Sequence, residues 1–417
     1  RQLLINHNYL KRVINLGDNT FDNADVPTCI FVGLKKKEEE YYIDYSDNRR
    51  ERIENIDFFA AQKSLLNTEI KDVPDMVIGV SSSGVKLMKD IEAKSYTLNE
   101  IALEMASGIS TGTDKVFRIP KHFAEENNFE QEILKPVLVG GDIDKYKIQY
   151  KNTFLIYTAR DTKIDKYPII EKYLSEFKEK LETRSETKQG ILPWYALGRQ
   201  RYPQLLEEEK IIMRQTSDSI RATYDDKGYY VLNSILVFKI NPQIEVSYKY
   251  ALIALNSKMN NLIYKNNSQE EGRTFAEVKP QNVKKLFIPK ISKTEQKVFE
   301  ILCDYLLFLH NDAHQPVNQR LDNKALAHYI QQIADACMVE LIYGAEMKEK
   351  KVDILEFVRK EITTFEDLPW EVRQAREIFE AHQKWTLPQS EVRNRLKIIS
   401  LMCPDTAGKI LNANEED

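Results

Sequence analysis

PWYALGRQRYPQLLEEEKIIMRQTSDSIRATYD, residues 193–225, is the stretch on which the fold turns. It holds a Pro193-Trp194-Tyr195 platform, four arginines (Arg199, Arg201, Arg214 and Arg221) and a strand signal, Ile211-Ile212-Met213. Arginine forks onto phosphate oxygens or guanine edges, and aromatic rings stack or wedge, so the mixture suits a nucleic-acid face. It also occurs on ordinary surfaces, where each arginine would sit in a salt bridge and Glu207, Glu208 and Glu209 stand ready as partners.

The chain around it has 417 residues, enough for two or three domains with a real core. Hydrophobic residues make up 42% and charged residues 30%, the balance of a globular protein. Net charge is −4, so nucleic-acid binding has to come from a local patch. Cys29, Cys303, Cys337 and Cys403 lie far apart, which suits a reducing compartment and neither a disulfide scaffold nor a zinc site. No apolar run is long enough for a membrane helix, and there is no signal peptide. The chain enters structured-looking sequence directly at Arg1, as a piece of something longer would.

Working outward, the apolar run Pro27–Val32 and the stretch Glu40–Tyr45 read as two strands. They cannot bury a core alone and are expected to pack on a sheet not included in residues 1–45. Residues 46–95 read as a connecting segment with a helix around Asp57–Asn67 and a strand near Met76–Val80. A short helix is expected over Leu98–Met105, then a glycine loop, Gly108-Ile109-Ser110-Thr111-Gly112, and a strand at Thr153–Tyr157. Pro168 opens a helix at its first turn, with Ile170, Tyr173, Leu174, Phe177 and Leu181 on one face. A strand over Tyr229–Ile240 follows a turn at Asp226-Lys227-Gly228, and Ser247 caps a helix carrying Ala251, Leu252, Leu255, Met259, Leu262 and Ile263. From Ser292 the pattern is helical. Ser292 and Glu295 form a capping box, and two strong stripes, Val298–Leu309 and Leu326–Leu341, read as a helical hairpin. Weaker helices fill residues 371–417.

Four patterns invite a chemical reading. Gly108–Lys115 has three residues between its glycines and a displaced lysine, so it fails the Walker spacing and reads as a structural turn, with Thr111 and Lys115 able to touch a phosphate. Asp75, Glu92 and Lys94 have the order of a PD-(D/E)xK nuclease, although Glu92 and Lys94 fall in a helical run. His310 and His314 are one helical turn apart but lack a third ligand, which favours a solvated helix terminus over a metal site. Leu192-Pro193-Trp194-Tyr195 resembles the aminomethyltransferase Asn-Pro-Pro-Tyr motif only in outline. Leu192 cannot accept from a target amino group, so no methyl-transfer site is read here.

Several blocks, in order, resemble the specificity half of bacterial type IIG restriction–modification enzymes, adenine methyltransferases with an attached endonuclease and a TaqI-like C-terminal specificity domain. They are Gly108–Gly112; Leu134-Lys135-Pro136-Val137-Leu138 with Gly141-Asp142-Ile143-Asp144-Lys145-Tyr146; Pro193–Arg199; Glu209-Lys210-Ile211-Ile212 with Arg221-Ala222-Thr223-Tyr224-Asp225; and Leu255-Asn256-Ser257-Lys258 with Ile288-Pro289. Val26–Phe31 resembles the last strands of the family's methyltransferase domain.

The resemblance implies an α+β fold: a mixed-sheet DNA target-recognition domain (96–290) followed by a helical segment (hairpin 291–370, tail 371–417). The last strands of a truncated Rossmann-like methyltransferase domain would lie at 1–45, joined by the connecting segment 46–95. It implies sequence-specific recognition of double-stranded DNA, an upstream methyltransferase domain in the same parent chain and a bacterial cytoplasmic, phage-defence setting. S-adenosylmethionine and Mg2+ are expected for the parent enzyme and not for this chain, which receives no catalytic residue. Arg199, Arg201, Arg214 and Arg221 are the first candidates for reaching DNA, with Thr111, Lys115, Lys258 and Arg273 as phosphate contacts. A magnesium-dependent nuclease and a protein–protein module are the competing readings.

Overall fold

Apolar residues on both sides of Ile211-Ile212-Met213 call for a strand covered on two faces. A computed structural model describes residues 9–17, 20–21, 28–35, 39–49, 51, 53–68, 82–268, 277–314, 316–317, 321–364 and 371–413. Its strands in chain order are β1 (Tyr9–Gly17), β2 (Thr28–Leu34), β3 (Tyr42–Asp47), β4 (Lys63–Leu66), β5 (Ser95–Thr97), β6 (Ala102–Ser107), β7 (Arg118–Pro120) and β8 (Leu134–Leu138). Next come β9 (Ile143–Asp144), β10 (Lys147–Ile148), β11 (Thr153–Ile156), β12 (Lys210–Arg214), β13 (Ala222–Asp225), β14 (Tyr230–Val231), β15 (Ile235–Ile240) and β16 (Phe287–Pro289).

The central sheet has the order β13-β12-β15-β6, with every pair antiparallel. Its side chains alternate between two cores. Ile211, Met213, Leu236, Phe238 and Ile240 face the larger core, while Ile212, Ile235 and Val237 face a second one built on the mixed sheet β14-β8-β11-β7.

Helices pack on both cores. They are α1 (Ser82–Ala93), α2 (Pro168–Ser175), α3 (Lys178–Glu182), α4 (Tyr248–Asn256), α5 (Lys258–Ser268), α6 (Lys293–Leu309) and α7 (Asn323–Glu349), then α8 (Leu355–Glu361), α9 (Glu371–Thr386), α10 (Glu391–Met402) and α11 (Ala407–Leu411). Of these, α2 and α3 belong to the second core and α4 onward to the larger one. The capping box at Ser292 and Glu295 starts α6, and Ser247 Oγ accepts from Tyr250 N to start α4. Leu302, Tyr305 and Leu306 of α6 and Ile330, Ile333 and Cys337 of α7 are fully buried in the same core as the sheet. Each fully buried Leu or Ile contributes about 1.5–3 kcal/mol, so the hairpin is part of the sheet's support.

Several expected elements differ. Residues 102–107 are strand β6, and the expected helix is reduced to one turn, Leu98–Ile101. The strand over Tyr229–Ile240 is two, split so that Leu232 N can bond Leu138 O at 3.0 Å. The helix from Ser247 breaks at Ser257, and the expected helix over Asp57–Asn67 holds β4, paired with β3. The N-terminal strands have their own mixed sheet, β2-β1-β3-β4, with a small core of Leu10, Val13, Ile43, Tyr45 and Leu65. Val26, Pro27, Asp75 and the strand expected at Met76–Val80 lie outside the described residues.

Lys94 Nζ donates to Ile342 O, so it ties the end of α1 to α7. The two histidines do not mark a solvated terminus. His310 packs against Tyr146 at 5.7 Å with its pKa lowered by burial, and His314 Nδ1 lies 3.0 Å from Phe308 O. No helix among the described residues is long and apolar enough to cross a membrane.

Candidate nucleic-acid interface

Strand register brings the arginines together. Ser107 of β6 pairs with Leu236 of β15, Leu236 with Met213 of β12, and Met213 with Ala222 of β13, so these four residues form one cross-strand row. Arg214 follows Met213 and Arg221 precedes Ala222, one step beyond the row. At its other side Arg199 Nη2 donates to Ser107 Oγ (3.0 Å) and Arg201 Nε to Ser107 O (2.8 Å). All four arginines therefore lie at one end of one sheet. Three strand spacings separate β13 from β6, roughly 14 Å, comparable with the major groove's width of about 12 Å.

The arginines differ in how they are held. Arg199 is exposed. Arg201 is half-buried, and burial followed by the neighbouring charge of Arg199 lowers its pKa. Arg214 Nε donates to Thr216 O (2.9 Å), and its backbone N–H bonds Arg221 O across the hairpin mouth (3.0 Å). Arg221 is the one engaged in an ion pair: Nη1 lies 3.1 Å from Asp144 Oδ1. The glutamates expected as partners are engaged elsewhere. Tyr230 Oη donates to Glu207 (2.8 Å), Lys239 pairs with Glu208, and Tyr224 Oη donates to Glu209 (2.6 Å).

A clamp that sequence reasoning missed shapes the loop before Arg199. Arg184 donates to four carbonyl oxygens: Leu181 (2.9 Å), Thr111 (3.1 Å), Ala196 (2.8 Å) and Trp194 (2.7 Å). Tyr195 Oη bonds Thr162 O (2.9 Å), and Thr158 Oγ1 bonds Tyr195 O (2.6 Å). The Trp194-Tyr195 pair is thus framework. Within residues 193–225, Tyr202, half exposed and directly after Arg201, is the most exposed aromatic ring. Its place between Arg201 and the helix-opening Pro203 was the signal available for it.

Among the proposed phosphate contacts, Thr111 is buried, donates to Asp114 Oδ1 (2.6 Å) and accepts from Thr113 N (3.0 Å), so its hydroxyl serves the turn. Lys115 is exposed in a single helical turn, Asp114–Phe117, beside that loop. Lys258 lies in the helical half, where Nζ donates to Leu411 O (2.7 Å). Arg273 lies outside the described residues. The glycine loop offers no phosphate cradle: a Cβ on Gly108 would stand 2.4 Å from the carbonyl oxygens of Val231 and Leu232, and Gly112 (φ +73°) packs on Arg184. No group of three or more His, Cys, Asp or Glu able to hold a metal is found among the described residues.

The sequence blocks prove to be one another's contacts. Asn256 clips onto Ala222, accepting from its N–H (3.0 Å) and donating to its carbonyl (2.9 Å), as a neighbouring strand would. Ser110 and Arg199 exchange backbone bonds of 3.0 and 2.8 Å. Tyr146 N bonds Ala222 O at 3.0 Å. Lys210 and Asp225 form a fully buried ion pair at 2.5 Å that ties β12 to β13, with burial lowering the lysine's pKa.

Residues 135–289 match the family model of the TaqI-like C-terminal specificity domain. This segment is similar to that family. The matched segment takes in β8–β16, three of the four strands of the central sheet and all four arginines. The chain is also similar in fold to the type IIL restriction–modification enzyme MmeI, solved in complex with DNA: 13% identity over 92% of this chain and 47% of that one, TM-score 0.50. A second solved structure, the type IIG restriction endonuclease BpuSI, matches at 11% identity over 82% of this chain and 44% of that one, TM-score 0.37. The chain spans about half the length of both enzymes.

Proposed function

We propose that this chain is the sequence-specific DNA target-recognition module of a bacterial restriction–modification enzyme. The observation that carries the reading is the cross-strand row Ser107–Leu236–Met213–Ala222, which sets Arg199, Arg201, Arg214 and Arg221 along one end of the specificity domain's sheet. Phosphate contacts fix register on a duplex, and guanidinium forks read guanine edges. The hairpin loop between Arg214 and Arg221 is the element suited to enter a groove, because both flanks are pinned. Gln215 N bonds Ser234 O (2.8 Å), and Ile220 N bonds Asn261 Oδ1 (2.9 Å). That MmeI was solved with DNA adds to this reading.

For the whole enzyme the reading extends to S-adenosylmethionine-dependent N6-adenine methylation by an upstream methyltransferase domain, with Mg2+-dependent cleavage where a nuclease is attached, in a bacterial cytoplasm. The N-terminal sheet β2-β1-β3-β4 would then belong to that domain's edge. Among the described residues the glycine loop is closed by the carbonyls of Val231 and Leu232 and by Arg184, and no group of three or more His, Cys, Asp or Glu that could hold a metal is found. This chain's part is to bind and orient DNA. Selection from a random duplex library is expected to enrich one short motif, and Arg199→Gln/Arg201→Gln to abolish the enrichment. Recovery of unenriched sequence by the unaltered chain would contradict the reading.

A further inference from the structure

A cavity of about 320 Å³ opens in the helical half, among α5, α7, α9, α10 and α11. Lys258, Arg393 and Lys397 all line it, against the single carboxylate of Asp335. That carboxylate is engaged structurally: Oδ1 accepts from Lys258 N (2.9 Å) and Gln331 Nε2 (3.1 Å), capping α5. Other arginines of the last helices are ion-paired, Arg359 with Glu356, Arg376 with Glu380, and Arg395 with Asp353 and Glu391. Arg393 and Lys397 enter no ion pair among the described residues. They sit one turn apart on α10, where like charges repel. Two neighbouring cations left unpaired at the mouth of a cavity create a positive field that an anion would relieve.

The rest of the wall is suited to an organic body. The Tyr329 ring is held by its hydroxyl, which donates to Trp385 O (3.0 Å), and Leu396 and Leu411 add apolar surface. Thr386, whose hydroxyl donates to His382 O (2.8 Å), also lines the cavity. The volume lies at the small end of the range for small-molecule sites, about 300–1,000 Å³.

We propose that this cavity binds a phosphate monoester of nucleoside-monophosphate size. Arg393 forks onto the phosphate, Lys397 and Lys258 add charge, and the body lies against Tyr329, Leu396 and Leu411. A free mononucleotide and the 5′-phosphorylated end of a DNA strand present the same chemistry. The site is separate from the sheet-end arginines, so it stands or falls independently of them.

Calorimetric titration of the chain with AMP, adenosine, inorganic phosphate and a short oligonucleotide with or without a 5′-phosphate tests it. AMP is expected to bind at least about tenfold more tightly than adenosine or inorganic phosphate, and Arg393→Gln/Lys397→Gln to remove that preference. The same variant is expected to melt at or above the temperature of the unaltered chain, since relief of like-charge repulsion does not unfold it. A phosphorylated oligonucleotide that outcompetes AMP would assign the source to strand ends. Absence of AMP binding at millimolar concentration, equal binding of AMP and inorganic phosphate, or unchanged affinity in the variant would each overturn the proposal.

Discussion

Arg184 closes the loop before Arg199 by reaching carbonyl oxygens on both sides of it, and its guanidinium also lies 5.8 Å from the centre of the Phe117 ring. Charged hydrogen bonds are worth roughly 1.5–3 kcal/mol each, and the carbonyls of Trp194 and Ala196 would lose their donor, so Arg184→Ala is expected to cost about 2–4 kcal/mol in urea unfolding. Arg184→Lys is expected to recover little, because an ammonium cannot reproduce the fork. The Lys210–Asp225 pair makes a second test at this scale. Asp225→Ala would strand a fully buried ammonium and cost about 3–5 kcal/mol, whereas replacing both partners with apolar residues of similar volume should come closer to neutral; a double-mutant cycle by denaturation measures the difference. Neither role was legible in sequence. The partners of Arg184 lie up to 73 positions away, and a lysine and an aspartate fifteen apart in a charged stretch look like surface until the strands pair.

At the scale of elements, the β12–β13 hairpin presents Arg214 and Arg221 at its mouth, with Arg221 turned toward Asp144 on β9. That pair is partly exposed and so weakly held, and a DNA phosphate would compete with Asp144 for the guanidinium. Asp144→Asn is accordingly expected to tighten duplex binding a few-fold at low salt, measured by fluorescence anisotropy; weaker binding would mean that Asp144 orients Arg221. Strong local signals were legible here. The apolar run at Ile211, the capping box at Ser292 and the proline at the start of α2 all specify their elements within a few residues. Where local preference and tertiary pairing disagree, pairing prevails. Ala102-Leu103-Glu104-Met105-Ala106-Ser107 is made largely of helix formers, yet it is β6, because β15 offers a full antiparallel edge with a buried face. The order of sequence blocks was informative for a related reason: Asn256 clips onto Ala222, and Ser110 pairs with Arg199, so the blocks are complementary surfaces of one sheet end.

For the molecule as a whole, one sheet shared by two cores fixes the sheet-end interface to the helical half, which sequence periodicity marked as a hairpin without saying what it packs on. The shared core also sets an alkaline limit. Burial, the leading cause, raises the pKa of Tyr224, Tyr230, Tyr305 and Tyr343 above the ordinary value near 10. Above that pH the unfolded chain releases phenolic protons that the native state keeps, so the native state binds more protons and stability falls as pH rises. Their stabilising contribution is complete below about pH 10 and is lost through the window above it. Urea unfolding between pH 9 and 11 is expected to show this fall, and Tyr305→Phe, which removes one such group, to flatten it. The central claim concerns the sheet end, and the salt dependence of duplex binding tests it most directly. Log affinity against log salt should fall linearly, with the slope shrinking by about one for each of Arg199, Arg201 and Arg214 replaced by glutamine. Arg376→Gln, on α9 and paired with Glu380, serves as the control and should leave the slope unchanged. Duplex binding whose slope is the same in the triple glutamine variant as in the unaltered chain, or the absence of salt-dependent binding altogether, would contradict the assignment of this sheet end to DNA.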